Sequence, residues 1–189
     1  MDIPAPLRQL PNQLTVSRII AVPVLCLFIG MGNDWLRWLA LVIYVAAAIT
    51  DWLDGFLARR MNMSSDLGKM LDPIADKLLV GCLIVTLAWT RDFSGLDLVP
   101  AIAILFREIF IAGLREFMGN RNISVPVTFL AKWKTTVQLV ALFFVILAGL
   151  WVGTWFIAKI LLWLAGILTV WTGWQYFLSV WPYFSAKTE

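Results

Sequence analysis

The sequence has no histidine and only two cysteines, and charged residues make up just 14% of its 189 residues. Without histidine, neither an imidazole general base nor a histidine-ligated zinc site can form. Cys26 and Cys82 stand alone in apolar stretches, so we expect buried free thiols and no disulfide. A soluble domain usually has about 25% charged residues. This shortage of charge excludes a single soluble core.

Apolar side chains take the place of the missing charge, because 61% of the residues are hydrophobic. A helix that spans a bilayer needs about 20 residues, so roughly six such helices use nearly the whole chain and leave no room for an extramembrane domain. We predict an all-α, polytopic membrane protein of one domain, residues 1–189, with six transmembrane helices. A short interfacial segment over residues 2–10 precedes them. The predicted spans are residues 12–31, 35–58, 68–90, 97–118, 128–150 and 155–178.

The distribution of basic residues predicts the orientation of these spans. Six spans place both termini on one side, and 12 of the 15 basic residues lie on that side: Arg8, Arg18, Arg59, Arg60, Lys69, Lys77, Arg107, Arg115, Arg121, Lys132, Lys134 and Lys187. The other side has only Arg37, Arg91 and Lys159. By the positive-inside rule, the termini are cytoplasmic and the chain lies in the cell (inner) membrane. The net charge of +3 thus reflects orientation, and no motif indicates nucleic-acid binding.

The tryptophans and the N-terminus agree with this topology. Five tryptophans gather at the far side, as an aromatic belt would: Trp35, Trp38, Trp89, Trp151 and Trp155. Trp174 and Trp181 approach the near side. The first residues lack the basic, apolar and cleavage regions of a signal peptide, so we expect the N-terminus to be retained.

Acidic residues occur where apolar helices should carry none. Five of the 12 fall within residues 51–76: Asp51, Asp54, Asp66, Asp72 and Asp76. Asp51 and Asp54 share a face near the end of the second span, and Asp72 and Asp76 share a face at the start of the third. Each mid-helix carboxylate costs about 2.5–3.5 kcal/mol even on a lenient insertion scale. These four acids must therefore face inward and be neutralised.

Two kinds of counter-charge can neutralise the four carboxylates. Neighbouring arginines and lysines would give a purely structural ion-pair cluster. Divalent cations would give a reactive site, because oxygen ligands without histidine or cysteine favour Mg²⁺, Mn²⁺ or Ca²⁺. Four carboxylates balance two divalent ions, and such a pair suits phosphate-bearing substrates. Gly55 and Gly68 flank the acids, and they either let a ligand approach closely or serve helix packing alone.

The spacing of these residues resembles the signature of a known family. The pattern Asp51-x2-Asp54-Gly55-x2-Ala58-Arg59-x8-Gly68-x3-Asp72-x3-Asp76 is similar at every position to that of the CDP-alcohol phosphotransferases. The resemblance implies a six-helix membrane fold, usually a homodimer. It also implies a cytoplasm-facing site that uses divalent metal to displace CMP from a CDP-linked donor.

The resemblance also implies roles for individual residues. The implied ligands of two Mg²⁺ or Mn²⁺ ions are Asp51, Asp54, Asp72 and Asp76. Asp76 is in addition the candidate general base toward the acceptor hydroxyl. The residues implied to make room for the cytidine are Gly55, Ala58 and Gly68, and Arg59 is implied to contact the nucleotide phosphates.

Three polar residues form a stripe on the first span. Asn12, Thr15 and Arg18 follow i, i+3, i+6 spacing, so they share one face of a helix that otherwise needs no polar side chain. One alternative is that Asn12 caps the helix while Arg18 extends to the membrane surface. Together with the signature, the family resemblance favours nucleotide binding by this stripe.

Cations on the fourth and fifth spans bear on the acceptor. A cluster suited to a phosphate monoester consists of Lys77, Arg107, Arg115, Lys132 and Lys134. The alternative for each is a cytoplasmic topology anchor, and Glu108 is positioned to pair with Arg107. The strings REIF–LRE and KWKTT resemble family members that transfer a phosphatidyl group from CDP-diacylglycerol to sn-glycerol 3-phosphate, giving phosphatidylglycerophosphate and CMP.

Other functions stay open on the sequence alone. Within the family, the acceptor could instead be phosphatidylglycerol, inositol phosphate or serine. Outside it, intramembrane carboxylates also occur in cation transporters and proton relays, although these often show repeated halves that are not apparent here. A structural or assembly protein would tolerate the substitution Asp76→Asn, whereas an enzyme of this family would lose the release of CMP.

Overall fold

A computed structural model describes the backbone of residues 5–61, 66–93, 95–119, 121, 123 and 129–185. Side chains are described for all of these except residues 5–12, 52–61, 66, 67, 69, 129, 131, 132 and 185. This part of the chain is helical, with six long helices: α1 (Ala5–Gly30), α2 (Asp34–Met61), α3 (Asp66–Trp89), α4 (Leu98–Gly119), α5 (Phe129–Ala148) and α6 (Trp155–Val180). Single 3-10 turns, Gly95–Asp97 and Val152–Thr154, precede α4 and α6, and a short α7 (Pro182–Ser185) follows. The all-α prediction is confirmed.

The first helix starts earlier than the sequence suggested. We expected a separate segment over residues 2–10, but α1 runs unbroken from Ala5 to Gly30. Pro6 stands in its first turn, where a missing N–H leaves no intrahelical bond unmade. Pro11 removes one such bond without ending the helix. The N-terminal turns therefore continue the first predicted span, and their place at a membrane surface stays a prediction.

A tight turn joins α1 to α2, as the Gly32-Asn33-Asp34 sequence predicts. Gly32 has a φ of +67°, a left-handed conformation that glycine adopts without strain. The Oδ1 atom of Asn33 accepts hydrogen bonds from the backbone N–H groups of Trp35 at 2.9 Å and Leu36 at 3.4 Å. Asn33 thereby satisfies two of the backbone donors that the first turn of a helix leaves open. The predicted turn is confirmed.

The contacts of the chain fall into two compact units, Met1–Asp92 and Phe93–Glu189. In the first unit, α1 packs against both α2 and α3. Its core consists of apolar residues at helical spacing on the three helices: Val22, Leu25, Ile29, Ala40, Leu41, Tyr44, Leu79, Leu83 and Leu87. Cys26 and Cys82 are half-buried free thiols within this unit. A single domain over residues 1–189 stays a prediction.

In the second unit, α6 packs against both α4 and α5. Small residues on α6 permit this close approach. A Cβ atom added to Gly166 would lie 2.6 Å from the Cβ of Pro100 on α4, and one added to Gly173 would lie 2.9 Å from the Cγ of Arg107. Small residues at helix interfaces are typical of membrane proteins. In lipid the hydrophobic effect does not drive helices together, so they associate through close van der Waals packing of their backbones.

Much of the helix surface is apolar. Two stretches of the described chain are long and apolar enough to cross a membrane: Gln13–Gly30, with a mean hydropathy of 1.8, and Val152–Phe184, with 1.7. Only 28% and 33% of these stretches are buried, whereas the core helix of a soluble protein is mostly buried. Trp133–Ala148 is a shorter apolar helix. Together with large exposed side chains such as Ile20 and Phe156, these helices indicate association with a membrane.

Two of the three cations predicted for the far side are paired with aspartates. In the first unit, Arg37 Nη2 donates to Asp92 Oδ1 at 2.6 Å, and both side chains are nearly buried. In the second unit, Lys159 Nζ lies 3.6 Å from Oδ2 of Asp97, a fully buried residue that also accepts a hydrogen bond from Trp163 Nε1 at 3.0 Å. These pairs leave little unbalanced charge at the helix ends that they join.

Candidate active site

Arg18 of α1 brings together acids from two other helices. Its Nη1 atom donates to Oδ1 of Asp51 on α2 at 2.5 Å and to Oδ1 of Asp76 on α3 at 3.2 Å. The Arg18 side chain is 1% exposed, whereas those of Asp51 and Asp76 are 38% and 50% exposed. The arginine side chain is thus buried, whereas the two carboxylates that it contacts remain accessible to a ligand. Because α1 packs against both α2 and α3, a side chain on this helix can bridge the two.

Thr15 repeats this arrangement one turn earlier on α1. Its Oγ1 atom donates to Oδ1 of Asp72 at 2.7 Å, and the threonine is 1% exposed. Thr15 and Arg18 therefore direct one face of α1 toward the three acids, as their i, i+3 spacing permits. The alternative in which Arg18 extends to the membrane surface is wrong, since its side chain is buried. Asn12 lies inside α1, so the alternative of a helix cap is wrong as well.

The charges of this site fit a divalent cation. Three carboxylates against the guanidinium of Arg18 and the ammonium of Lys77, which lies near Asp76, leave one net negative charge among the described side chains. Lys77 Nζ donates to the backbone carbonyl of Pro73 at 3.0 Å, which lies on its own helix. Carboxylate oxygens without histidine or thiolate are the ligands that Mg²⁺ and Mn²⁺ prefer. Within the described part of the chain, however, no three acidic or thiol side chains come close enough to enclose an ion by themselves.

Several predicted site residues lie outside the described side chains: Asn12, Asp54, Gly55, Ala58, Arg59 and Lys132. Asp54 is the fourth predicted metal ligand, and Arg59 is the predicted contact of the nucleotide phosphates. Gly68 is described, and it is buried in the first turn of α3. The roles of all these residues stay predictions.

In the second unit, Glu108 joins two of the predicted acceptor-binding cations. Lys134 Nζ of α5 forms a short ion pair with Oε1 of Glu108 on α4. Arg107 Nη1 donates to the same oxygen at 3.3 Å. The guanidinium of Arg115 lies 5.9 Å from the centroid of the Tyr176 ring, where a cation is attracted to the aromatic face. The expectation that Glu108 pairs with Arg107 is confirmed.

Sequence reasoning missed a buried polar chain that continues from this cluster. Gln138, one helical turn after Lys134, hydrogen-bonds to Glu108 and donates from Nε2 to Thr169 Oγ1 of α6 at 3.0 Å. Gln138 is 1% exposed and Thr169 is fully buried. The spacing of Lys134 and Gln138, i and i+4 in an apolar helix, was the available signal. A polar chain thus crosses all three long helices of this unit.

Comparison with known proteins gives these sites a family context. The family model for CDP-alcohol phosphatidyltransferase matches residues 8–171, which include every acid and cation of the candidate site.

The chain belongs to the CDP-alcohol phosphatidyltransferase family.

The resemblance drawn from the aspartate signature is therefore confirmed. Among the family's curated members, a CDP-diacylglycerol–glycerol-3-phosphate 3-phosphatidyltransferase of Rickettsia typhi is 42% identical over 181 residues, which cover 94% of this chain and 100% of the relative. A protein of the same name from Cereibacter sphaeroides is 37% identical, with 92% and 96% covered. A cardiolipin synthase (CMP-forming) of Oryza sativa is 41% identical over 150 residues, which cover 74% of this chain and 46% of the relative.

Proposed function

We propose that this chain transfers the phosphatidyl group of CDP-diacylglycerol to sn-glycerol 3-phosphate, giving phosphatidylglycerophosphate and CMP. Above all, the convergence of Asp51, Asp72 and Asp76 on the Thr15–Arg18 face of α1 supports this function. These are signature acids of a family whose curated members, similar to this chain over nearly their full length, have names that state this transfer.

The residues of the first unit handle the donor. Thr15 holds Asp72, and Arg18 holds Asp51 and Asp76, so that the three carboxylates are fixed before any substrate arrives. In the proposed site these acids, with Asp54, would hold two Mg²⁺ or Mn²⁺ ions. When bound, such ions neutralise pyrophosphate charge and stabilise the leaving phosphate. Arg59 contacts the nucleotide phosphates, and the small residues Gly55, Ala58 and Gly68 leave room for the cytidine.

Asp76 takes the proton of the acceptor. Its carboxylate is half exposed, and its Oδ1 atom lies 3.2 Å from Nη1 of Arg18. As Asp76 accepts the proton from a hydroxyl of glycerol 3-phosphate, that oxygen attacks the phosphorus bearing diacylglycerol. The bond from this phosphorus to the bridging oxygen breaks, and CMP leaves with that oxygen. The acceptor phosphate binds cations of the second unit, Arg107 and Lys134 among them.

The chain lies in the inner membrane with six spans, both termini and the reactive acids being cytoplasmic. The exposed apolar helices and the basic residues counted above support this topology. The donor then enters sideways with its acyl chains still in lipid, while the water-soluble acceptor arrives from the cytoplasm. A homodimer follows from the family resemblance.

Release of CMP by the purified protein tests the function. Wild-type protein with CDP-diacylglycerol and Mg²⁺ should release CMP when glycerol 3-phosphate is added, and Asp76→Asn should abolish the release. Asp92→Asn is the matched control, because Asp92 pairs with Arg37 at the other end of the same unit and should retain most activity. Full activity of Asp76→Asn would refute the mechanism.

A second acceptor has specific support. The rice relative is named a cardiolipin synthase, and it is 41% identical to this chain. Phosphatidylglycerol is therefore tested as acceptor in the same assay, beside inositol phosphate and serine. Release of CMP with one of these and none with glycerol 3-phosphate would reassign the acceptor while leaving the family chemistry in place.

A further inference from the structure

One carboxylate oxygen of the second unit gathers two cationic groups. Lys134 Nζ and Arg107 Nη1 both donate to Oε1 of Glu108, although they come from different helices. The three side chains are 3%, 12% and 18% exposed, in that order. Side chains so enclosed have few alternative rotamers, so the position of the Glu108 carboxylate determines where both cations lie.

Packing and hydrogen bonding fix Glu108 and Arg107 from two sides. Gln138 bonds to Glu108 and is itself held by Thr169, which ties the carboxylate to α6 through α5. Gly173 leaves room for the stem of Arg107, because even a Cβ atom there would lie 2.9 Å from the arginine Cγ. An arrangement held through three helices is rigid enough to position a charge.

The cluster is not saturated by its own ion pairs. Two cations against one carboxylate leave one net positive charge. The Nε atom of Arg107 is buried and has no hydrogen-bond partner, although a guanidinium offers five donors. An unused donor in a cluster with a net positive charge is suited to an anion that brings further acceptor oxygens, as a phosphate monoester does.

We propose that Glu108 is a positioning residue that holds Arg107 and Lys134 in place to receive the phosphate of the acceptor. The inference rests on the proposed function. It assigns to Glu108 a role that differs from charge balance alone: a mere counter-ion would act through its charge, whereas a positioning group also acts through the location of its oxygen.

Two substitutions separate location from charge. Glu108→Gln removes the charge, and Glu108→Asp keeps the charge but draws the carboxylate back by one methylene. If Glu108 positions the cations, both variants raise the KM for glycerol 3-phosphate by about tenfold or more, while the KM for CDP-diacylglycerol stays within about twofold of wild type. Asp97→Asn is the matched control, since it neutralises another buried carboxylate of the same unit, the partner of Lys159, without touching Arg107 or Lys134, and both KM values should stay unchanged.

The outcomes that overturn the inference are distinct. A wild-type KM in Glu108→Asp with a raised KM in Glu108→Gln would show a counter-ion only. A lower KM for glycerol 3-phosphate in Glu108→Gln would show that Glu108 competes with the acceptor for the cations. Parallel changes in both KM values, or in kcat alone, would indicate a structural role. Size-exclusion profiles identify a variant that fails to fold, in which case Glu108→Asp alone decides.

A failure of the proposed function is recognised separately. If wild-type protein releases no CMP with glycerol 3-phosphate, the function is wrong, whatever Glu108 does. Binding of inorganic phosphate to purified wild-type protein and to both variants, measured by calorimetry, then decides the inference. Weaker binding by both variants supports positioning, and equal binding by all three proteins overturns it.

Discussion

Replacement of Arg18 by methionine should destabilise the protein in a manner that depends on divalent metal. Arg18→Met keeps most of the bulk of the side chain but removes the donors to Asp51 and Asp76, which lie 2.5 Å and 3.2 Å from Nη1. A hydrogen bond to a charged group contributes about 1.5–3 kcal/mol. Because the acids are 38% and 50% exposed, solvent screening reduces each value. The expected loss without metal is about 2–3 kcal/mol in total.

Divalent cations should reverse much of this loss. Without Arg18, the two carboxylates repel each other and form a more negative site, so Mg²⁺ binds the folded variant more tightly than wild type. A ligand that binds only the folded state stabilises it in proportion to its affinity. At saturating Mg²⁺, the difference between variant and wild type should fall to about half or less of its value in EDTA.

Thermal unfolding in detergent micelles measures both quantities, and the 11 tryptophans provide the fluorescence signal. At this chain length, 2–3 kcal/mol corresponds to a decrease in Tm of roughly 4–12 °C. Arg37→Met is the matched control, because Arg37 forms the other arginine–aspartate pair of the same unit, with Asp92. Its decrease in Tm should be the same with EDTA and with Mg²⁺ at equal ionic strength.

Two results would refute this reasoning. If Arg18→Met unfolds at the wild-type temperature in EDTA, the two ion pairs contribute nothing to stability. If its decrease in Tm is as insensitive to Mg²⁺ as that of Arg37→Met, the acids around Arg18 form a structural ion-pair cluster and no metal site.

Two further substitutions test packing and donor binding. Gly166→Ala should lower the free energy of unfolding by about 1–3 kcal/mol, because its Cβ would lie 2.6 Å from that of Pro100. The control is Gly113→Ala, where a Cβ meets nothing within 4 Å, and this variant should be neutral or stabilising. Equal Tm values for the two variants would contradict the packing. Thr15→Val removes the 2.7 Å hydrogen bond to Asp72. Because losing a charge-assisted hydrogen bond has an effect of this size, kcat/KM for CDP-diacylglycerol should fall by about tenfold. An unchanged kcat/KM would show that Thr15 does not orient Asp72.

The helices could be located from sequence because their limits are local. Apolar runs determine where a helix lies, and turn residues such as Gly32 and Asn33 end one helix and begin the next. The start of α1 could not be predicted in this way, since Pro6 and Pro11 indicate a break in isolation but are tolerated in the helix. Local rules thus gave the helix limits wherever proline did not intervene.

Partners across helices were harder to predict. The spacing of Asp72 and Asp76 shows that they share a face. The contact of Arg18 with Asp51 and Asp76 depends instead on how α1 is rotated about its axis. In a helix that is apolar on nearly all sides, periodicity leaves this rotation undetermined. The same reason applies to Lys134, whose contact with Glu108 depends on the rotation of both α4 and α5. Sequence therefore identified the chemistry of these groups better than their pairing.

The central place of α1 in the first unit determines how far apart its acids can lie. Packed helices have axes about 8–10 Å apart, and α2 and α3 each pack against α1. Arg18 Nη1 on α1 bonds to both acids, so the Oδ1 atoms of Asp51 and Asp76 lie no further apart than these two hydrogen bonds allow. Buried residues one or two turns along that helix, such as Val22 and Leu25, act as spacers. Larger side chains at these positions would widen the opening of the site without altering any polar group.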